Sequence, residues 1–211
     1  MSGVIQAAFM NQRSFGPPAI GAAYEGGFFA GKISTAGNGI ADYNLVIGPV
    51  ASAENASIQW KTTNTTTAGT TSDIDGPANS TAMNNASHPA AQFCEGLTIG
   101  GFSDWYMPAK NELEVCYYNL KPTTTSNSIS SGINANAVPA RASNYTAGTP
   151  AQTSATNFQS TGSEYFATAI YWSSTEATST YARRQTFNDG GQYSGSKTYT
   201  SRVRAIRRVA V

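Results

Sequence analysis

Two stretches of this chain carry the spacing of a half-buried helix, and both are set among short strand-like runs. Ala90, Phe93, Cys94 and Leu97 fall at i, i+3, i+4 and i+7 within residues 89–97, and Gly100-Gly101 follows just beyond. Leu113, Cys116, Tyr117 and Leu120 repeat that spacing within residues 108–120. There Pro108 suits a first helical turn, Glu112 sits near the positive end and Pro122 closes the element. Around these helices, residues 28–33, 43–50, 58–61, 169–175, 181–187 and 193–199 read as strands. Turn signals at Gly37-Asn38-Gly39 and Asn188-Asp189-Gly190-Gly191 make hairpins of the first two runs and of 181–187 with 193–199. Residues 203–209 break alternation because Ala205 and Ile206 are adjacent, and predict a central strand with a bulge. The fold class that follows is α+β, with two short helices set among short strands. The polar stretches 62–87 and 123–162 form long ordered loops.

Residues 1–27 are rich in Ala, Gly and Pro, broken by Gly16-Pro17-Pro18 and Gly26-Gly27, and read as an extended N-terminal arm. Val4, Ile5, Phe9, Met10 and Phe15 suit that arm to docking on a neighbouring subunit. Residues 28–211 form the globular domain. The N-terminus lacks the basic start and apolar core of a secretory signal, and no run approaches the ~18 apolar residues of a membrane span. The expectation is therefore no membrane insertion and no export by that route.

Only 12% of residues are charged, against about 25% in ordinary soluble proteins, while 11% are aromatic and Ser, Thr, Asn and Gly are plentiful. Such a surface suits adaptable contacts rather than cytoplasmic housekeeping. With a net charge of +1 and arginines clustered only at the C-terminal end (Arg202, Arg204, Arg207, Arg208), nucleic acid is not an expected partner. Two cysteines and one histidine, His88, make neither a disulfide framework nor a zinc set; Cys94 and Cys116 read as buried free thiols. No catalytic residue is expected. Ser103, in Gly101-Phe102-Ser103-Asp104-Trp105, lacks a base held by an orienting acid, since the single histidine lies in a polar stretch before a proline.

The residues from Gly100 to Pro108 (GGFSDWYMP), with Glu112 and Leu113, then Tyr171-Trp172-Ser173-Ser174-Thr175-Glu176, then Arg202 to Arg208 (RVRAIRR), form three ordered blocks. In these blocks the chain resembles a family of domains that includes the C-terminal part of bacterial collagen-like adhesins and many phage tail proteins. The resemblance spans roughly residues 25–209. It implies a C-type-lectin-like fold, two short helices packed on a twisted antiparallel sheet with long ordered loops, and a receptor-binding, adhesin-like role on a virion, tail- or fibre-associated, with a host surface glycan or protein as ligand. Other virion proteins (tail, fibre or capsid) would hold the arm, and a homo-oligomer, with a trimer suiting a fibre tip, is the expected assembly. A structural decoration or joint protein of the virion is the alternative.

Within those blocks Gly101, Asp104, Trp105, Pro108, Glu112, Leu113, Trp172, Ser173, Ser174, Arg204 and Arg207 read as architecture. Trp105 and Trp172 should fill core, and Arg204 and Arg207 should pair with carboxylates, Asp104 and Glu112 being the candidates. Recognition is expected in Tyr181, Arg183, Gln185, Asn188, Asp189, Gln192, Tyr193 and Ser194, which combine rigid aromatic area with adaptable hydrogen bonding. No cofactor is expected. Calcium is the one metal with a partial motif, Asp73-x-Asp75-Gly76, and the later ligands of a calcium loop are missing from it.

Overall fold

The structure, a computed structural model, describes residues 16–211; the first fifteen residues of the N-terminal arm lie outside the described residues. Ten strands form two five-stranded sheets. The first runs β1 (Ala23–Tyr24), β2 (Gly27–Ile33), β3 (Tyr43–Ile47) and β10 (Ile206–Ala210), with β5 (Ala137–Val138) also pairing β2. The second runs β4 (Glu54–Gln59), β9 (Thr200–Arg204), β6 (Ile170–Glu176), β7 (Tyr181–Thr186) and β8 (Gln192–Ser196). Four short helices complete the described residues: α1 (Val50–Ala53), α2 (Gly76–Ala82), α3 (Pro89–Glu95) and α4 (Lys110–Leu120). The α+β class stands. The arrangement of two helices on one antiparallel sheet is corrected to four helices and two sheets, and β6 runs parallel to β9.

The described end of the arm is part of this fold. Gly21 N–H donates to Phe29 O at 2.8 Å, β1 pairs with β2, and Ile20 packs against the core. The opening hairpin forms as its turn signal requires, with Phe28 opposite Ile47 and Ile33 opposite Tyr43. A bulge at Phe29–Gly31 makes room for α4. Gly31 has φ 134°, and a Cβ there would sit 2.3 Å from Asn119 Nδ2, which donates to Ala30 O at 2.8 Å. Only glycine lets the helix come this close.

Two cores follow from this layering. One gathers Leu45, Ile47, Leu113, Cys116, Leu120, Phe158, Phe166, Phe187 and Ile206 between α4 and the sheets. The other gathers three tryptophans, Trp60, Trp105 and Trp172, with Ala53, Ala90, Cys94 and Val203. Burying an indole strands its N–H unless a carbonyl is near. Trp60 donates to Ser173 O at 2.9 Å, Trp105 to Phe102 O at 3.1 Å and Trp172 to Ile58 O at 3.0 Å.

The single bulged strand expected at 203–209 is instead two strands in two sheets. The chain leaves β9 at Ala205, whose N–H donates to Ala53 O at 2.9 Å, and enters β10 at Ile206 opposite Ile47. Ala205 is buried in the tryptophan core and Ile206 in the other. The broken alternation that suggested a bulge records that neighbouring side chains enter different cores.

The loop expected at 62–87 contains α2, which begins at Asp75, whose side chain accepts from Ala78 N at 3.3 Å, with Pro77 in the first turn. No apolar period announces this helix because its buried face is polar. Asn79 Nδ2 donates to Ser72 O at 2.7 Å, and Ser80 Oγ accepts from Met107 N at 2.8 Å. Pro108 stands outside α4 rather than in its first turn; its carbonyl accepts from Ser174 N at 2.8 Å, and Glu112 takes the Ala109 N–H at 2.8 Å. At the far end of the second sheet, the strand expected over 193–199 ends at Ser196, because Lys197 is buried and bonds elsewhere.

Candidate functional site

The motif blocks lie where the two sheets and the helices meet. Gly100 and Gly101, at φ 63° and 84°, form a two-residue turn closed by Ile99 and Phe102, which exchange hydrogen bonds at 3.0 and 3.1 Å. This turn presents Asp104 to Arg207. The guanidinium grips that carboxylate with a fork, Nε to Oδ1 at 2.7 Å and Nη2 to Oδ2 at 3.0 Å, and lies 3.8 Å from the Phe102 ring centroid. Arg208, pointing to the other face of β10, donates from Nε to Glu112 Oε1 at 2.8 Å, and Tyr106 OH donates to the same oxygen at 2.6 Å.

Arg204 takes neither candidate carboxylate. It donates to Gly48 O at 2.8 Å and to Glu164 Oε2 at 2.9 Å. The change of sheet at Ala205 explains this correction, since Arg204 belongs to β9 and its neighbours Arg207 and Arg208 to β10. Ser173, Ser174 and Thr175 are all buried and stitch β6 to its surroundings. Ser173 Oγ donates to Arg183 O at 3.0 Å, and Thr175 Oγ1 donates to Ser72 O at 2.9 Å.

The recognition candidates do not share one face. In the β7–β8 hairpin Tyr181 is opposite Ser196, Arg183 opposite Ser194 and Gln185 opposite Gln192, whereas Arg184 is opposite Tyr193. Because side chains alternate, Tyr181, Arg183 and Ser194 share one face and Tyr193 stands on the other with Arg184. Arg183 Nη1 donates to Ser194 Oγ at 3.3 Å. Tyr181 and Tyr193 are 47% and 49% exposed, and Tyr199, beyond β8, is 64% exposed.

Two of the candidates, Gln185 and Asp189, serve the turn instead, and Gln192 bonds the neighbouring 123–162 loop. Gln185 is buried and donates to Gly190 O at 3.2 Å. Asp189 Oδ1 accepts from Gly191 N at 3.0 Å, and Gln192 N–H donates to Ser131 Oγ at 3.0 Å, while Asn188 stays exposed at the tip. Polar residue type alone cannot separate an inward amide from an outward one where the inner face of a hairpin is itself polar.

The groups with reactive chemistry are occupied. His88 Nε2 lies 2.9 Å from Thr67 Oγ1 and Nδ1 lies 2.9 Å from Asn85 Oδ1, so Nδ1–H donates to the amide oxygen and Nε2 accepts the threonine proton. Burial, then the ammonium groups of Lys61 and Lys197, lower its pKa to about 4. Both cysteines are free and buried, and burial pushes both thiols up. Asp73 is paired with Lys110 and Asp75 caps α2. Among the described residues no group of three or more His, Cys, Asp or Glu side chains is placed to hold a metal ion, and no helix is long and apolar enough to cross a membrane.

Sequence reasoning missed a buried polar box beside Trp60. Lys197 Nζ donates to Glu176 Oε2 at 2.7 Å, to Thr65 O at 2.9 Å and to Ser179 O at 2.9 Å. Lys61 Nζ donates to Thr66 O and Thr67 Oγ1, each at 2.9 Å. Two ammonium ions thus hold the carbonyls of the 62–70 loop. The only signal in the sequence is a lysine in each of two strand-like runs, Lys61 at the end of 58–61 and Lys197 within 193–199.

A family model described as the Lcl C-terminal domain matches residues 50–207, from α1 to the Arg207 fork. The chain belongs to that family. No curated protein matches it. Of the three blocks on which the family likeness rests, the Lcl C-terminal domain match covers the whole of the first two and nearly all of the third.

Proposed function

We propose that this Lcl C-terminal domain is a non-enzymatic, C-type-lectin-like receptor-binding module, carried on a phage virion in association with its tail or fibre. It meets a host surface glycan or protein through the Tyr181, Arg183 and Ser194 face of the β7–β8 hairpin. The observation that carries the reading is aromatic exposure. Tyr181 stands out on the face of Arg183 and Ser194 at 47%, with Tyr193 at 49% on the opposite face of the hairpin and Tyr199 at 64% beyond β8, while all three tryptophans are buried. A fold that closes its cores completely has no internal need of those rings, and exposed Tyr beside Arg and Ser is the residue mix of contact surfaces. A binding role is further supported by the occupied state of His88 and of the two buried thiols, which leaves neither as an exposed base or nucleophile. The pairing of β3 with β10, with α4 packed on β2, supports the lectin-like assignment. In this reading the N-terminal arm attaches the domain to neighbouring virion proteins.

The test is adsorption. Labelled protein should bind cells that the virus infects and compete with particle adsorption, and a Tyr181→Ser, Arg183→Ala variant should lose binding while keeping its melting temperature. Absence of binding by folded protein at micromolar concentration would overturn the proposal. A particle image with this hairpin buried between subunits would instead support a decoration or joint role.

A further inference from the structure

The 62–70 loop is held to the body by hydrogen bonds rather than by apolar burial. Its one apolar side chain, Ala68, is exposed, and its buried residues are Thr67 and Thr70. Thr62 N–H donates to Ser87 O at 2.9 Å, and most of the remaining attachment runs through the polar box beside Trp60. A segment that buries so little apolar surface stays down only while its polar partners keep their donor and acceptor roles.

Those roles converge on Thr67. Its N–H donates to Glu176 Oε2 at 2.6 Å, its hydroxyl oxygen accepts from Lys61 Nζ at 2.9 Å, and its hydroxyl proton goes to His88 Nε2 across 2.9 Å. His88 Nδ1–H is fixed on Asn85 Oδ1 at 2.9 Å, so Nε2 is the ring nitrogen left to take up a proton. A proton there turns the acceptor of the Thr67 hydroxyl into a second donor aimed at the same oxygen. It also upsets the charge balance. Lys61, Lys197 and Glu176 are the ionised groups that face the imidazole, so an imidazolium becomes a third cation against a single carboxylate.

We propose that His88 is the trigger of an acid-released latch: protonation at Nε2 frees the 62–70 loop from Glu176 and the two lysines while the rest of the domain stays folded. The loop abuts the β7–β8 hairpin, because Ser196 Oγ donates to Asn64 Oδ1 at 3.2 Å and Ser196 stands opposite Tyr181. Release therefore frees that end of the hairpin. The latch does not rest on the receptor reading, and its test uses no host cell. While the loop is down, burial first and the two ammonium ions next hold the His88 pKa at about 4; once the loop lifts, the ordinary value near 6.5 returns. Closure is therefore strongest above pH 6.5 and weakens as pH falls through 6.5 towards 4, by about two orders of magnitude in the closed-to-open ratio.

The test is native-state hydrogen exchange of the full chain, followed by NMR between about pH 7.5 and 3.5 and corrected for the intrinsic pH dependence of exchange. The Thr67 N–H should lose about a hundredfold or more of its protection over that range. Its exchange should be insensitive to low urea, the mark of a local opening, whereas α4 amides should exchange more slowly and respond to urea. His88→Gln should hold Thr67 protection constant to within about threefold, since no group at that position then takes up a proton. Should that variant not fold, the chain's single histidine decides the matter in the native protein. Its imidazole signals should show a neutral ring down to about pH 4. An ordinary titration near pH 6.5 with the loop still protected would overturn the latch. So would Thr67 protection that is constant with pH, that falls equally in His88→Gln, or that responds to urea together with α4.

Discussion

Lys197 Nζ lies 2.7 Å from Glu176 Oε2, and both side chains are closed to solvent, at 0% and 5% relative exposure. The pair does more than neutralise itself. Glu176 Oε2 also accepts from Thr67 N at 2.6 Å, and the ammonium ties Thr65 and Ser179 together. Desolvation lowers the Lys197 pKa, and the Glu176 hydrogen bond and charge oppose that shift. Lys197→Met leaves a buried carboxylate without its counter-ion and should cost about 3–5 kcal/mol, read as a lower urea midpoint with an unchanged slope. Lys197→Met combined with Glu176→Gln should recover part of that loss.

His88 sets a pH dependence. Its pKa falls from an ordinary value near 6.5 to about 4 on folding, chiefly because burial disfavours the imidazolium and then because Lys61 and Lys197 repel it. Below pH 6.5 the unfolded chain takes up a proton that the folded chain refuses. Stability is therefore fully present above pH 6.5, falls as pH drops towards 4 and levels off below that. The loss should reach about 3 kcal/mol. His88→Gln should flatten the curve between pH 6.5 and 4 in urea denaturation, at some cost in stability at neutral pH because the Thr67 contact changes.

The helices were legible where their buried faces are apolar. Cys94 in α3 and Leu113, Cys116 and Leu120 in α4 form a stripe that transfer energetics alone would select. α2 was illegible for the converse reason: Asn79 and Ser80 fill its buried face and look like loop residues until Ser72 and Met107 are seen to satisfy them. The Arg207–Asp104 pair was readable from charge and motif, whereas the Arg204–Glu164 pair depends on a change of sheet that no local pattern encodes. The recognition face shows the same limit. Tyr181 and Gln185 share one side of one strand, and only the packing of Tyr145 and Gly190 under the hairpin tip decides which of them is buried.

The hairpin tip depends on close approach. Gly190 has φ 76°, and a Cβ there would sit 2.2 Å from Tyr117 Cε1 in the core. Gly190→Ala therefore combines an unfavourable backbone conformation with a clash against a ring held at 2.6 Å by Asn127 Oδ1. The expected cost is about 2–3 kcal/mol. Because Gln185 donates to Gly190 O, the same change should broaden the amide signals of residues 185–192 in NMR spectra. Asn188→Ala at the exposed tip should do neither.

Thiol reactivity tests the closure of both cores at once. Cys94 and Cys116 are 0% exposed, Cys94 in the tryptophan core and Cys116 on the buried face of α4 in the other. Burial is the first cause of the raised pKa at each, and neighbouring carboxylates, Glu95 at Cys94 and Glu112 at Cys116, add to it. The thiolate is the reactive species, so native protein should resist a disulfide reagent at pH 8 even though an ordinary thiol would be substantially ionised there. Labelling should proceed only through opening of the structure, with both cysteines reacting at one rate if the two cores unfold together. A faster reaction at Cys94 would show that the tryptophan core, closed by short α3 and the 62–87 loop, opens independently of α4. Mass spectrometry of peptides after timed labelling distinguishes the two outcomes, and Lys197→Met should then accelerate Cys94 more than Cys116, because the polar box that it breaks holds the loop beside Trp60.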